Sequence, residues 1–142
     1  MATLQIAHLS DLHILRDYNG SMLDRAPLRQ PVPPVNYVLA GIREAVAAHP
    51  DVVVLTGDLV HEGTEEDYRY LRELIERECS GIPVIPVLGN HDFKQAFYRG
   101  YLGEERTGSY TARYELGGYR FLVMDTAQEG NGCGVISQEQ VQ

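Results

Sequence analysis

The chain is short of cysteine, of basic residues and of long apolar runs, and each shortage argues against a class of protein. Its two cysteines, Cys79 and Cys133, lack the spacing of metal ligands, and so low a count is typical of a reducing compartment. Lys and Arg total 12 against 20 Asp and Glu, a net charge of -8, which disfavours a surface that binds a nucleic-acid backbone. No segment approaches the roughly 20 apolar residues that span a bilayer.

The composition is that of an ordinary globular protein. Of 142 residues, 44% are hydrophobic and 23% are charged, enough to build a core in one domain, which we place at residues 1–142. Residues 1–9 have neither a basic segment nor an apolar run long enough for export. We therefore expect a cytoplasmic protein with no membrane association.

The hydrophobic pattern predicts an α/β fold in the order β-α-β-α-β, followed by an antiparallel hairpin. The run DVVVLTGD is continuously apolar, which is typical of a strand buried on both faces. Prolines in the third strand favour an edge or strand-start position. The predicted strands are Thr3–Asp11, Asp51–Asp58, Ile82–Asp92, Ser109–Leu116 and Tyr119–Thr126, and the predicted helices are Pro34–Ala48, the segment from Thr64 to near Gly81, and Phe93–Leu102. Residues Ile14–Pro34 are predicted to form a long loop.

Three polar clusters follow the first three predicted strands. They are Ser10-Asp11-Leu12-His13, Gly57-Asp58 and Gly89-Asn90-His91-Asp92. Parallel strands place their carboxyl ends at one edge of a sheet, where α/β proteins form their sites. We therefore expect the three clusters to converge.

The residue types in these clusters suit divalent metal ions. Asp11 and His13 are two positions apart, so both side chains face one side if the backbone there is extended. Asp58 could bridge two ions, and Asn90 offers a carbonyl oxygen to the second. Oxygen and nitrogen ligands without thiolate favour manganese, iron or zinc. Two such ions activate water and neutralise phosphate charge in phosphoryl chemistry.

Two histidines outside this ligand set are candidates for substrate contact. His91 adjoins Asn90 and could donate a hydrogen bond or a proton to a phosphate or leaving group. His61 follows the Gly-Asp strand end and is a weaker candidate for the mouth of the site. His8 is expected to be a packed, hydrogen-bonded strand histidine, and Glu62–Glu66 to be the solvated start of a helix. Asp125 is expected to serve in a turn.

The motifs SDLH, TGDLV and LGNHD together resemble those of the calcineurin-like metallophosphoesterases. The stretches IAHLSDLH, GTEEDY and GVISQEQ are most similar to the branch that hydrolyses cyclic nucleotides and glycerophosphodiesters. The resemblance implies a four-layer α/β/β/α sandwich, of which this chain is the N-terminal half. It also implies a first metal ion on Asp11, His13 and Asp58, and a second on Asp58 and Asn90. His91 would be the catalytic histidine, and the substrate a small phosphodiester.

The resemblance is incomplete in one respect. The family supplies a further histidine and a G-H-x-H motif downstream, whereas the last histidine here is His91. We therefore interpret residues 1–142 as an incomplete domain whose remaining ligands lie in a longer chain or in another copy. Self-association through an exposed sheet edge is expected. Alternative functions are a phosphomonoesterase or nuclease of the same superfamily, or an inactive fragment or non-catalytic metal-binding module.

Overall fold

A computed structural model describes residues 3–24 and 32–141. Three parallel strands, β1 (Ile6–Ser10), β2 (Val52–Thr56) and β3 (Val84–Val87), form a sheet in the order β1-β2-β3. All three are shorter than predicted, because their polar ends leave the sheet to form loops. The strand ends are in register: Ser10 pairs with Thr56, and Thr56 pairs with Val87. This register brings the three polar loops to one edge of the sheet.

The central strand, β2, is the most deeply buried element of the sheet. Val52, Val53 and Leu55 are 0% exposed, as the continuous apolar pattern predicts. β3 pairs with β2 on one side, and no described residue pairs with its other side, which agrees with the edge position that its prolines favour. Burial of such aliphatic side chains contributes about 1.5–3 kcal/mol each to folding.

Two long helices connect the strands. The first, α1 (Pro34–Ala47), starts on prolines, and the second, α2 (Glu65–Glu78), starts after Thr64. The backbone N–H of Thr64 donates a 2.8 Å hydrogen bond to Asp67 Oδ2, as expected for the predicted capping box. α2 buries one face in the core, made of Tyr68, Leu71, Leu74 and Ile75. Of the predicted loop before α1, residues 25–31 lie outside the described ranges.

The single helix predicted after the third strand is divided in two. A short helix, α3 (Lys94–Phe97), continues into a π-helical turn at Tyr98–Leu102. A Cβ placed on Gly100 would lie 2.3 Å from the backbone oxygen of Glu65. Glycine therefore allows the π-helical turn to lie directly against the start of α2.

The remainder of the described chain is a hairpin and a short helix. Strands β4 (Thr111–Leu116) and β5 (Tyr119–Met124) pair antiparallel through the predicted two-glycine turn. Alternation along β5 buries Val123 at 5% exposure but leaves Leu122 65% exposed. The last helix, α4 (Gln138–Val141), starts on the predicted cap, with the backbone N–H of Gln140 donating 3.3 Å to Ser137 Oγ.

These elements confirm the predicted α/β fold class, with a three-stranded parallel sheet and a separate antiparallel hairpin. Within the described ranges, no helix has both the length and the apolarity needed to cross a membrane. The cytoplasmic location and the self-association stay predictions.

Candidate metal centre

Asp11, His13 and Asp58 form a compact group at the carboxyl ends of β1 and β2. One potential ligand atom from each lies within 4.8 Å of the others. Two backbone hydrogen bonds hold the loops together: Asp11 N–H donates to Gly57 O at 3.2 Å, and His13 N–H donates to Asp58 O at 2.8 Å. The predicted convergence of the first two clusters is therefore present in the fold.

The backbone at these residues differs from the extended conformation on which the sequence argument depended. Asp11, His13 and Asp58 have positive φ angles of 56°, 45° and 47°. Residues other than glycine rarely adopt this left-handed region, and such strain concentrates at functional sites. The premise of an extended strand is wrong for Asp11 and His13, yet their ligand atoms still meet. Leu12 between them is buried at 6% exposure, whereas Asp11 is exposed and His13 is partly exposed.

The chemistry of the donor set fits a divalent cation. His13 Nε2 lies 3.7 Å from Asp58 Oδ2, and their side chains are 26% and 13% exposed. Asp11 is exposed, and Ser10 Oγ donates a hydrogen bond to its Oδ2. Two carboxylates close together repel each other, and a cation between them removes that repulsion. Oxygen and imidazole donors together suit a transition metal ion.

The third cluster lies against this group. The backbone N–H of His91 donates a 3.0 Å hydrogen bond to Asp58 Oδ1. A Cβ on Gly89 would lie 2.2 Å from that same oxygen, so only glycine permits this approach. Gly89 is therefore more than a turn former. The described hydrogen bonds of Asn90 include one from Gly130 N–H to its backbone oxygen, at 2.9 Å. The role of the Asn90 side chain as a ligand stays a prediction.

Asp92 was given no role by the sequence, and it connects two of the loops. Its carboxylate is 0% exposed. It accepts hydrogen bonds from the backbone N–H groups of Leu59 at 3.0 Å, Val60 at 2.9 Å and Gly89 at 2.8 Å, and from the Tyr68 hydroxyl at 2.7 Å. Burial raises the pKa of the Asp92 carboxyl, and these hydrogen bonds oppose the rise. Its place directly after His91 was the available signal, although of its partners only Gly89 is near it in the chain.

His61 is part of the same cluster. It is only 8% exposed, and its Nδ1 lies 3.1 Å from Nδ1 of His13. Its ring centroid is 4.7 Å from that of His91. Burial lowers the pKa of His61, and the neighbouring His13 and His91 lower it further, which favours a neutral ring at pH 7.

Glu62 lies beside His91, which the sequence did not indicate. Its Oε1 is 3.3 Å from His91 Nδ1, and its backbone N–H donates a 2.9 Å hydrogen bond to the His91 carbonyl. Helix α2 begins at Glu65, so Glu62 precedes it. The expected acidic helix start is confirmed for Glu65 and Glu66, whereas Glu62, although exposed, lies before the helix and contacts His91. Nothing in the local sequence pairs an acid here with a histidine 29 positions later.

Asp125 connects the hairpin to the loop that carries His91. It is 0% exposed and forms a 2.8 Å ion pair with Lys94 at the start of α3. It also accepts hydrogen bonds from the backbone N–H of Tyr110 at 3.0 Å and of Ala127 at 2.9 Å. Its role is thus wider than the turn that the sequence predicted. His8, by contrast, is exposed and has its Nε2 2.5 Å from Thr56 Oγ1, so it is hydrogen-bonded as expected but not packed.

The described structure thus brings together most of the sequence-predicted site. Asp11, His13 and Asp58 form a group whose ligand atoms are close enough together to hold one metal ion. His61 and His91 surround it, with ring centroids 5.1 Å and 5.5 Å from that of His13.

Several curated proteins are similar to the chain. A probable cyclic nucleotide phosphodiesterase from Rhodococcus erythropolis is 32% identical over 139 residues, covering 96% of this chain and 44% of its own length. A cAMP/cGMP dual specificity phosphodiesterase from Mycobacterium tuberculosis is 30% identical, with 96% and 42% covered. A glycerophosphodiester phosphodiesterase from Enterobacter lignolyticus is 28% identical, with 96% and 48% covered. The chain therefore spans less than half the length of these relatives.

The family comparison agrees with the site. The model of the calcineurin-like phosphoesterase family matches residues 4–135, a range that includes all three polar loops and the hairpin. The match covers most of the chain, and the Asp-His-Asp group lies within it. By the family match over residues 4–135 and by its α/β fold, the chain belongs to the calcineurin-like phosphoesterase family.

Proposed function

We propose that the protein hydrolyses a small phosphodiester, such as a 3',5'-cyclic nucleotide or a glycerophosphodiester, with two divalent metal ions. The observation that carries the proposal is the group formed by Asp11, His13 and Asp58, whose ligand atoms lie within 4.8 Å of one another. The similar proteins are named as cyclic nucleotide and glycerophosphodiester phosphodiesterases, which supports the substrate class. Because the chain spans less than half the length of those relatives, the proposal concerns a protein of their full length.

In this proposal, Asp11, His13 and Asp58 hold the first ion, and Asp58 with Asn90 holds the second. The donor set suits manganese, iron or zinc. When bound, two such ions lower the pKa of a water molecule between them and neutralise charge on the phosphate oxygens. Asp58 suits a role as ligand to both ions, because its carboxylate lies between the two loops that carry the other ligands. His13 Nε2 is 3.7 Å from Oδ2, and the N–H of His91, next to Asn90, donates a 3.0 Å hydrogen bond to Oδ1.

The chain's own proton donor in this scheme is His91. Its Nδ1 faces Glu62, which leaves Nε2 as the ring nitrogen available for substrate. With Nδ1–H directed at the Glu62 carboxylate and a second proton on Nε2, the His91 imidazolium donates its Nε2 proton to the leaving-group oxygen as the phosphorus–oxygen bond breaks, and is left as a neutral ring. Glu62 orients the ring, and Asn90 and His61 contact the phosphate. The acidic net charge of -8 favours a small substrate over nucleic acid.

The test is manganese-dependent hydrolysis of bis(p-nitrophenyl) phosphate by the 142-residue chain and by a chain of the relatives' length. We expect Asp58→Asn to lower turnover by about 100-fold, because it removes a charged metal ligand. Asp24→Asn, at an exposed aspartate outside the metal-binding group, is the matched control and should retain full turnover. Equal turnover in Asp58→Asn and wild type would overturn the proposal, as would no turnover in the longer chain.

The same assay separates the alternatives. A phosphomonoesterase would prefer p-nitrophenyl phosphate, and a nuclease would prefer single-stranded DNA, over cyclic AMP or glycerophosphocholine. A non-catalytic metal-binding module would bind manganese but turn over none of these substrates at either length. Phosphodiester preference with manganese dependence is the outcome that the proposal requires.

A further inference from the structure

Histidines 13 and 61 face each other through the same ring nitrogen. Nδ1 of His61 lies 3.1 Å from Nδ1 of His13, a hydrogen-bond distance. A hydrogen bond between two such nitrogens needs one proton, since two N–H groups would clash and two lone pairs would repel. The protonation of one ring therefore determines that of the other.

A metal ion at the candidate centre would decide which ring carries that proton. His13 directs Nε2 towards Asp58, 3.7 Å from its Oδ2, so Nε2 is the ligating nitrogen. A neutral imidazole that ligates through Nε2 carries its proton on Nδ1. His13 Nδ1–H then donates to His61, which must accept on Nδ1 and hold its own proton on Nε2.

The other nitrogen of His61 has unsatisfied hydrogen-bonding capacity. His61 is 8% exposed, its Nε2 is buried, and no residue in ranges 3–24 and 32–141 forms a hydrogen bond with that atom. A buried N–H without a partner is unfavourable, so such donors normally have an acceptor. An anionic oxygen bound beside the metal ion is the acceptor that this family's chemistry would bring.

We propose that His61 is a positioning residue that orients His13 through Nδ1 and, once His13 is ligated, presents Nε2–H to an oxygen of a bound phosphodiester. This inference rests on the proposed function, because it requires the metal centre. It adds a coupling between the metal ion and the phosphodiester, because metal binding at His13 creates a hydrogen-bond donor at His61 for the phosphate. By linkage, the phosphodiester then strengthens metal binding by the same factor.

Ring protonation can be read directly by long-range ¹H–¹⁵N NMR on the ¹⁵N-histidine-labelled 142-residue chain, with and without Zn²⁺. With zinc, we expect His13 in the Nδ1–H form and His61 in the Nε2–H form. If zinc ligates His13 and His61 keeps its proton on Nδ1, the inference is wrong while the metal centre stands. If zinc leaves His13 unchanged, the metal centre and the inference both fail.

A pair of substitutions separates the two roles of His61. His61→Asn keeps an oxygen acceptor near the Nδ1 position and loses the distal donor, whereas His61→Gln places an amide N–H near the Nε2 position and loses the proximal acceptor. We expect His61→Gln to weaken Zn²⁺ binding by about tenfold, as loss of a second-shell partner does. His61→Asn should keep zinc affinity and weaken binding of dimethyl phosphate by about tenfold in the zinc-loaded chain.

Isothermal titration measures both affinities, and His49→Asn, at an exposed histidine on the loop after α1, is the control. A purely structural role for His61 would lower the zinc and dimethyl phosphate affinities together in both variants, and that result would overturn the inference. Weaker zinc binding in His61→Gln only, with weaker dimethyl phosphate binding in His61→Asn, would support it.

Discussion

The backbone N–H of His91 donates a 3.0 Å hydrogen bond to Oδ1 of Asp58. The same carboxylate has its Oδ2 3.7 Å from His13 Nε2, so it joins two candidate site loops at once. Asp58 is the proposed metal ligand that also anchors the loop of the proposed proton donor, so it links the geometry of the metal site to that of His91. Small changes in this contact should therefore affect both metal binding and turnover.

Gly89→Ala should disturb this contact directly. The added Cβ would lie 2.2 Å from Asp58 Oδ1 and 2.3 Å from Asp58 N, so one loop must move. We expect a loss of about 1–3 kcal/mol in stability from the overpacking, together with weaker manganese binding. Urea unfolding and a manganese titration measure the two effects. Gly132→Ala is the control, because nothing lies within 4 Å of its added Cβ. Equal behaviour of the two variants would contradict the required close approach.

Asp92→Asn should destabilise the fold without removing a candidate ligand. The four groups that donate to Asp92 include the Tyr68 hydroxyl and the backbone N–H of Gly89. Asparagine has one acceptor oxygen, and its amide nitrogen would face donors. We expect a loss of about 3 kcal/mol in the free energy of unfolding, since buried donors lose their partner.

Urea denaturation at pH 7 measures this loss, with Asp24→Asn at an exposed position as the control. A change for Asp92→Asn no larger than that of the control would show that the carboxylate does not hold the loops together.

Glu62→Gln tests the orientation of His91. The carboxylate lies 3.3 Å from His91 Nδ1 and its side chain is 48% exposed, so its effect is reduced by solvent. We expect kcat for bis(p-nitrophenyl) phosphate to fall about tenfold with KM nearly unchanged, since a general acid contributes mainly in the transition state. Glu44→Gln, at an exposed position on α1, should have no effect. A rise in KM with unchanged kcat would instead assign Glu62 to substrate binding.

Glu78 should make the stability depend on pH in acid. Its carboxylate accepts hydrogen bonds from Arg43 at 2.8 Å and 3.0 Å and from Arg77 at 3.0 Å. The hydrogen bonds from Arg43, followed in effect by that from Arg77, lower the pKa of Glu78 to about 2. An unfolded glutamate has a pKa of about 4.3. The stabilisation is therefore complete above pH 4.3 and is lost as the pH falls from there towards 2.

Thermal unfolding of wild type and Glu78→Gln across this range measures the effect. The variant should have the lower Tm at pH 7, and the two curves should converge towards pH 2. A constant Tm difference across the range would mean that the ionised carboxylate contributes nothing specific.

Local patterns were sufficient for the order of the elements and for the candidate ligands. A continuous apolar run predicts β2 correctly, because a central parallel strand is buried on both faces. The capping box at Thr64 predicts the start of α2 within one residue, because the cap is formed by neighbours in the chain. The boundaries of the third strand were wrong, because it ends at Val87, where Gly89 turns against Asp58.

By itself, the sequence determined the α/β order and the identity of the residues at the strand ends, since spacing and residue type are local properties. Only the tertiary structure decided that Asp11 and His13 meet through left-handed backbone rather than an extended strand. It also decided the contacts of Asp92 with Val60, of Glu62 with His91 and of His61 with His13, which join residues 32, 29 and 48 positions apart. Such contacts depend on strand register and loop packing, and no short-range pattern encodes them.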